Sequence, residues 1–169
     1  MTHDALPKRC VIADDVRSSR AKVGTWLDDC EFDCVLAENG LEAWRSIQNH
    51  PPDLLITDLE MPGLCGLELL ERIRQSGNEG IRQLPVLVMT SLLDGQTLNV
   101  VRKLGGDGLL QKPLDKETTL SVILDLIAGK QCLQQINVSG EDSIPRSDGV
   151  ISPTLRRLLK TVAKGEPSR

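Results

Sequence analysis

Five short apolar runs, each ending on a polar or charged residue and each followed by a helical pattern, restrict this chain more than any other feature. The runs cover residues 10–13, 34–37, 54–57, 86–89 and 109–111. Several are continuously apolar rather than alternating, as expected for strands covered on both faces. The spacing between and after them predicts helices over 17–28, 41–49, 66–75, 96–104 and 116–128. In the last of these, Asp115 stands at the capping position. Leu120, Ile123, Leu124 and Ile127 recur there at i, i+3, i+4 and i+7, and Gly129 stops the helix. Gly24 lies inside the first helix at a local penalty of about 1 kcal/mol relative to Ala. Five βα units in a row read as an α/β fold, a doubly wound parallel sheet with helices on both faces.

The pattern fails after Gly129. Residues 131–150 are polar, with Ser, Gly, Asp and Pro clusters, and read as a linker. Ser152-Pro153 then has the form of an N-cap followed by proline at the first helical position. Leu155, Leu158, Leu159 and Val162 fall on one face, with Arg156, Arg157, Lys160 and Lys164 at other positions. The expected organisation is therefore a domain over 8–128, a polar linker over 129–151 and a short basic amphipathic helix over 152–165.

Charge follows the same division. Residues 1–128 carry 13 Lys+Arg against 20 Asp+Glu, whereas residues 129–169 carry 7 against 4. An acidic body argues against nucleic acid as its partner. With two Trp, one Phe and no Tyr, the chain also lacks the aromatic platform that single-strand binding uses. No apolar run approaches membrane-spanning length, and the first residues hold no apolar signal region. The five cysteines follow no disulfide framework, so a reduced, cytoplasmic setting is expected. Cys30 and Cys34 lack the second ligand pair that a zinc site needs.

In open parallel sheets, ligands sit beyond the carboxyl ends of the strands. The first strand runs into Asp14-Asp15, the third into Asp58, the fourth into Thr90-Ser91 and the fifth into Lys112-Pro113. Taken singly, each has a plain explanation. Asp15 or Ser18 could cap the first helix, Thr90-Ser91 could form a turn, and Lys112-Pro113 could be an ordinary loop. Together they place three carboxylates, hydroxyls and an ammonium at one edge. Two carboxylates 4 Å apart repel by about 4 kcal/mol at an effective dielectric near 20, so the group calls for a cation. An all-oxygen donor set suits a hard ion, with Mg2+ the natural choice. A hard cation, a lysine and a hydroxyl around one carboxylate are the requirements for phosphoryl transfer to that carboxylate.

The segments VIADD at 11–15, AENGLEA at 37–43, PDLLITDLEMPGLCGLELL at 52–70, LPVLVMTS at 84–91 and GGDGLLQKP at 105–113 resemble the receiver domain of two-component response regulators. The likeness to chemotaxis-type single-domain members covers residues 8–128. It implies a flavodoxin-like sheet of order 2-1-3-4-5. It implies Asp58 as phosphoacceptor and Mg2+ held by Asp15 directly, Asp14 through water, Asp58 and the backbone carbonyl of Glu60. It further implies that Thr90 bonds the phosphoryl group, Ser91 lines the access, Lys112 pairs with a phosphoryl oxygen and Lys112-Pro113 is cis. The expected phosphodonor is a sensor histidine kinase or a histidine phosphotransfer protein, and the output is altered affinity for a downstream protein. The chain would catalyse only its own phosphorylation and dephosphorylation. Leu109 departs from the family, which usually carries Tyr or Phe there as the switch, and Gly106 and Gly108 stand where Ala and a polar residue are commoner.

Two other functions compete. An aspartate-nucleophile phosphatase of haloacid dehalogenase type expects a second acid two residues after the nucleophile. Glu60 meets that offset, but Met61-Pro62 follows and no cap domain is present. A DNA-binding regulator would have to rely on residues 152–165, and one short helix falls below the several packed helices such effectors need. The basic helix could instead dock on a partner, pair with itself as a homodimer, or fold back on the body.

Overall fold

The computed structural model describes residues 6–130 and 132–133; the linker beyond Leu133 and the expected helix over 152–165 lie outside the described residues. Five parallel strands form one sheet in the order β2-β1-β3-β4-β5. They are β1 (Arg9–Ala13), β2 (Asp33–Ala37), β3 (Leu54–Asp58), β4 (Val86–Thr90) and β5 (Gly108–Gln111). All residues of β3 and β4 are buried, which accounts for the continuous apolar runs over 54–56 and 86–89.

Alternate strand residues feed two cores. Cys10, Ile12, Leu54, Ile56, Leu87 and Met89 meet Val23 and Leu27 of α1 (Arg17–Asp28) and Ile123 and Leu126 of α6 (Lys116–Ile127). Val11, Ala13, Leu55, Val86, Val88 and Leu109 face the other way. They meet residues of α2 (Gly40–Asn49), α3 (Gly66–Arg74) and α5 (Gly95–Lys103). Each helix arrives with its own start signal where one is available. The side chains of Asn39, Asp94 and Asp115 accept backbone N–H bonds from Glu42, Thr97 and Thr118.

Four features differ from or sharpen the sequence reading. A one-turn helix, α4 (Glu79–Arg82), follows an Asn78 cap; its four residues are too few to show a period. The buried side of α6 is Thr119, Ile123 and Leu126, while Leu124 is 61% exposed, so the expected stripe is rotated. Leu120 and Ile127 are only partly buried against α1, and Val122 rather than Leu124 completes the contact. Neither Asp15 nor Ser18 caps α1, whose Val16 start has no side-chain cap. Packing also continues past Ala128: Leu133 is buried, the Cys132 amide donates to the Asp107 carbonyl, and Arg102 bonds the Leu133 carbonyl.

The glycines that looked costly in sequence stand where neighbours press in. A Cβ on Gly24 would lie 3.3 Å from Leu36 Cδ2, so α1 rests close on β2. One on Gly108 would lie 2.8 Å from Leu87 Cδ1, and one on Gly106 would meet Val101 at 2.5 Å. Gly66 is the tightest of those beside the acidic edge, because its Cβ would run into the Asp58 carbonyl. Replacing Gly66 by Ala is expected to lower stability by about 2 kcal/mol, as overpacking against a fixed backbone does. Gly95→Ala, with nothing within 4 Å, should change it little. Urea unfolding of the two variants checks this; equal midpoints would show that α3 can move away from β3 freely.

Candidate functional site: an acidic edge bridged by a lysine

The site is made where β1 and β3 end beside each other. Register pairs Ile12 with Ile56 and Ala13 with Thr57, so the next residues, Asp14 and Asp58, emerge side by side. Oxygen atoms of Asp14, Asp15 and Asp58 lie within 4.8 Å of one another. Asp14 is fully buried, Asp58 is 8% exposed and Asp15 is open to solvent.

Lys112, just beyond β5, reaches across this edge. Its Nζ lies 2.7 Å from Asp14 Oδ2 and 3.2 Å from Asp58 Oδ2. The Lys112-Pro113 peptide is cis, as the resemblance implied. Burial alone would lower the lysine's pKa, but its hydrogen bond to Asp14 and the charges of both aspartates hold it above the ordinary value. Asp58 is pushed up to about 6, chiefly by burial, with Asp14 adding to the rise and Lys112 opposing it. The Glu60 backbone N–H also helps to hold the Asp58 carboxylate. The Glu60 carboxyl is raised by burial and by nearby Asp15.

The remaining expected residues occupy distinct places around this centre. Thr90 is buried at the end of β4, and its hydroxyl donates to the Leu92 carbonyl and accepts from the Leu92 N–H at 2.9 and 3.0 Å. Ser91 is exposed beside it. Leu109 is 2% exposed, within the core under α5 rather than at the edge. Cys30 is exposed and Cys34 half-buried, and neither joins a metal-ligating group among the described residues.

Sequence reasoning passed over Arg20. This residue of α1 is 7% exposed and donates from its guanidinium to the backbone carbonyl of Asp14 at 2.6 Å. Its second terminal nitrogen lies 3.6 Å from Glu38 Oε1. A signal was present: Arg20 stands at the first position of the buried stripe Arg20, Val23, Gly24 and Leu27, where a cation needs a partner.

Oxygen donors alone, two of them on buried or nearly buried carboxylates, fit a hard divalent cation held by Asp14, Asp15 and Asp58. Without a cation, ionised Asp58 is a burden on the fold. A carboxyl with a folded pKa of about 6 contributes stability below the usual carboxylate range and loses that contribution as pH rises through about 6. The difference in stability between wild type and Asp58→Asn should therefore shift by about 2 kcal/mol between pH 4 and pH 7 in chelator, with Asn the better tolerated at pH 7. Excess magnesium at pH 7 should restore much of the wild-type deficit. A pH-independent difference in urea titrations would show that Asp58 is not held up by its surroundings.

Comparison with known proteins places this geometry. Residues 10–124 match the family described as the response regulator receiver domain. Response regulator Rre1 of Synechocystis is 32% identical over 130 residues, covering 75% of this chain and 54% of Rre1. Regulator of RpoS of Escherichia coli is 32% identical over 114 residues, covering 68% of this chain and 33% of that protein. The chain thus spans about half or less of these two relatives. Among solved structures, chemotaxis protein CheY4 of Vibrio cholerae superposes with a TM-score of 0.66 at 26% identity, covering 70% of this chain and 97% of that one. A response regulator from Chloroflexus aurantiacus gives 0.68 at 26%, covering 72% and 98%. With the lysine-bridged aspartates at the ends of β1 and β3 and the strand order 2-1-3-4-5, the chain belongs to the response regulator receiver domain family of two-component systems.

Proposed function

We propose that Asp58 accepts a phosphoryl group from a phosphohistidine on a sensor kinase or a histidine phosphotransfer protein, and that the modified chain then binds a downstream protein with altered affinity. The observation that carries this reading is the position of Asp58. It is a nearly buried carboxylate 3.2 Å from the Lys112 ammonium and beside Asp14 and Asp15. Asp15, Asp58, Asp14 and the Glu60 carbonyl would hold Mg2+. Bound there, the ion supplies positive charge against the phosphoryl oxygens.

The residues of the chain divide the work. A carboxylate oxygen of Asp58 forms the new bond to phosphorus while the donor's P–N bond breaks. The imidazole nitrogen keeps the electron pair and takes a proton from solvent. Lys112 stands within reach of the oxygen that gains charge, and it already faces Asp58 before the phosphoryl group arrives. Thr90, after leaving its bonds to Leu92, presents its hydroxyl to the phosphoryl group. Ser91 lines the approach, small enough to leave it open. Hydrolysis of the acyl phosphate by water returns the module to its starting state, so the chain turns over only its own phosphorylation. A haloacid dehalogenase-type phosphatase is the poorer reading, since Met61 and Pro62 follow Glu60 where that class continues its motif.

Incubation with Mg2+ and a small acyl phosphate, followed by intact-mass measurement, tests the assignment. One phosphoryl addition is expected on wild type and none on Asp58→Ala. Lys112→Ala should phosphorylate about a hundredfold more slowly, the usual loss when one preformed donor to a developing charge is removed. Addition that persists in Asp58→Ala would put the acceptor elsewhere. Sustained release of phosphate from an added phosphomonoester would favour the phosphatase.

A further inference from the structure

Arg20 is the one buried cation among the described residues, and nothing in the phosphoryl chemistry above uses it. Its guanidinium touches no carboxylate of the acidic group. It donates instead to the main-chain carbonyl of Asp14 at 2.6 Å and pairs with Glu38, whose side chain is 72% exposed. A charge is rarely buried for a single carbonyl, because leaving water costs an arginine more than one neutral acceptor returns. What the contact does for Asp14 supplies the reason.

Every polar atom of Asp14 is engaged. Its N–H donates to the Ala37 carbonyl at 3.1 Å, and its Oδ1 accepts from the Val16 N–H at 2.9 Å. Its Oδ2 accepts from Lys112, and its carbonyl from Arg20. Val16, which starts α1, makes no side-chain cap, so the turn from β1 into α1 is held through these bonds of Asp14. Arg20 also closes the first α1 turn through its own N–H to the Val16 carbonyl. The guanidinium therefore ties that turn to the end of β2 through Glu38 and fixes the direction in which Asp14 and the exposed Asp15 leave the strand.

We propose that Arg20 is a positioning residue for the cation site: it holds the Asp14-Asp15 backbone so that both carboxylates face Asp58. The proposal rests on the reading of this edge as a Mg2+ site. Groups of this kind, which orient ligands without touching the metal, change metal affinity by about 10- to 100-fold when removed.

The test titrates the full chain with Mg2+ alone by calorimetry. In parallel it records phosphorylation by an acyl phosphate as a function of Mg2+ concentration. Arg20→Met keeps the stem and removes the donors. It should raise the Mg2+ Kd and the half-saturating Mg2+ concentration about tenfold, while the limiting rate at saturating Mg2+ stays within about twofold. Glu38→Gln should lie close to wild type, because the amide keeps an oxygen facing the guanidinium and the bond from Arg20 to Asp14 is unchanged. Arg20→Lys keeps the charge but reaches only one acceptor, and its Kd should fall between those of wild type and the methionine variant. An Arg20→Met Kd within twofold of wild type overturns the proposal. So does a fall in limiting rate with an unchanged Mg2+ requirement, which would mark a general loss of structure. If the methionine variant does not fold, an Arg20→Lys Kd equal to wild type decides against it. A wild-type chain that binds no Mg2+ fails differently, because it removes the cation reading of the whole edge.

Discussion

The contact on which the rest of the site depends is the bridge from Lys112 to Asp14 and Asp58. Two buried carboxylates side by side at the ends of β1 and β3 repel, and the lysine at 2.7 and 3.2 Å makes that arrangement tolerable. The bridge is incomplete by design of the charges: one ammonium faces Asp14 and Asp58, and Asp15 remains open to solvent nearby. An edge with more negative than positive charge retains attraction for a further cation, whereas a neutralised edge would have none. Burial above all, with Asp14 adding to it and Lys112 opposing, holds Asp58 at a pKa of about 6 rather than in the ordinary carboxylate range.

The sheet makes the imbalance possible. With β3 and β4 buried along their whole length, polar side chains can be accommodated only where the strands stop. Parallel connection brings all those stopping points to one side, so residues separated by 54 and 98 positions in sequence become neighbours. This is why the edge was legible without coordinates. The apolar runs announce the strands, and the first polar residue after each run announces the edge. Asp14, Asp58, Thr90 and Lys112 stand out in that way, together with all five of the expected helices to within one residue at each end.

Other features left weaker traces because tertiary contacts decide them. The phase of α6 could not be read from apolar spacing, since Leu120, Ile123, Leu124 and Ile127 offer a plausible stripe. The orientation is set by Thr119 and Leu126, which pack under the sheet while Leu124 stays exposed. Arg74 gives a second case. It bonds the carbonyls of Arg82, Leu84 and Gly105 and the carboxylate of Asp107, closing the end of the sheet opposite the acidic edge. Nothing local distinguishes it from Arg72 two residues earlier. Arg20 lies between these extremes, for its place on a buried stripe was visible but its acceptor, a backbone carbonyl, carries no sequence mark.

The position of Leu109 restricts how a change at the edge can travel. An aromatic ring at this position could exchange a buried pose for an exposed one and present a hydroxyl or a ring edge to a partner. Leu109 is 2% exposed and lies in the same core as Val88, Val101 and the partly buried Leu93 and Leu104. Moving it outward would expose aliphatic surface, at about 25 cal/mol for each Å², with no polar group gained. Thr90 meanwhile gives both its donor and its acceptor capacity to Leu92. Drawing that hydroxyl toward a group on Asp58 has to break both bonds and shift the turn that carries Leu93 and the Asp94 cap of α5. Between the acidic edge and α5, the turn from Thr90 to the Asp94 cap is the polar connection, and Leu109 contributes only aliphatic packing beside it.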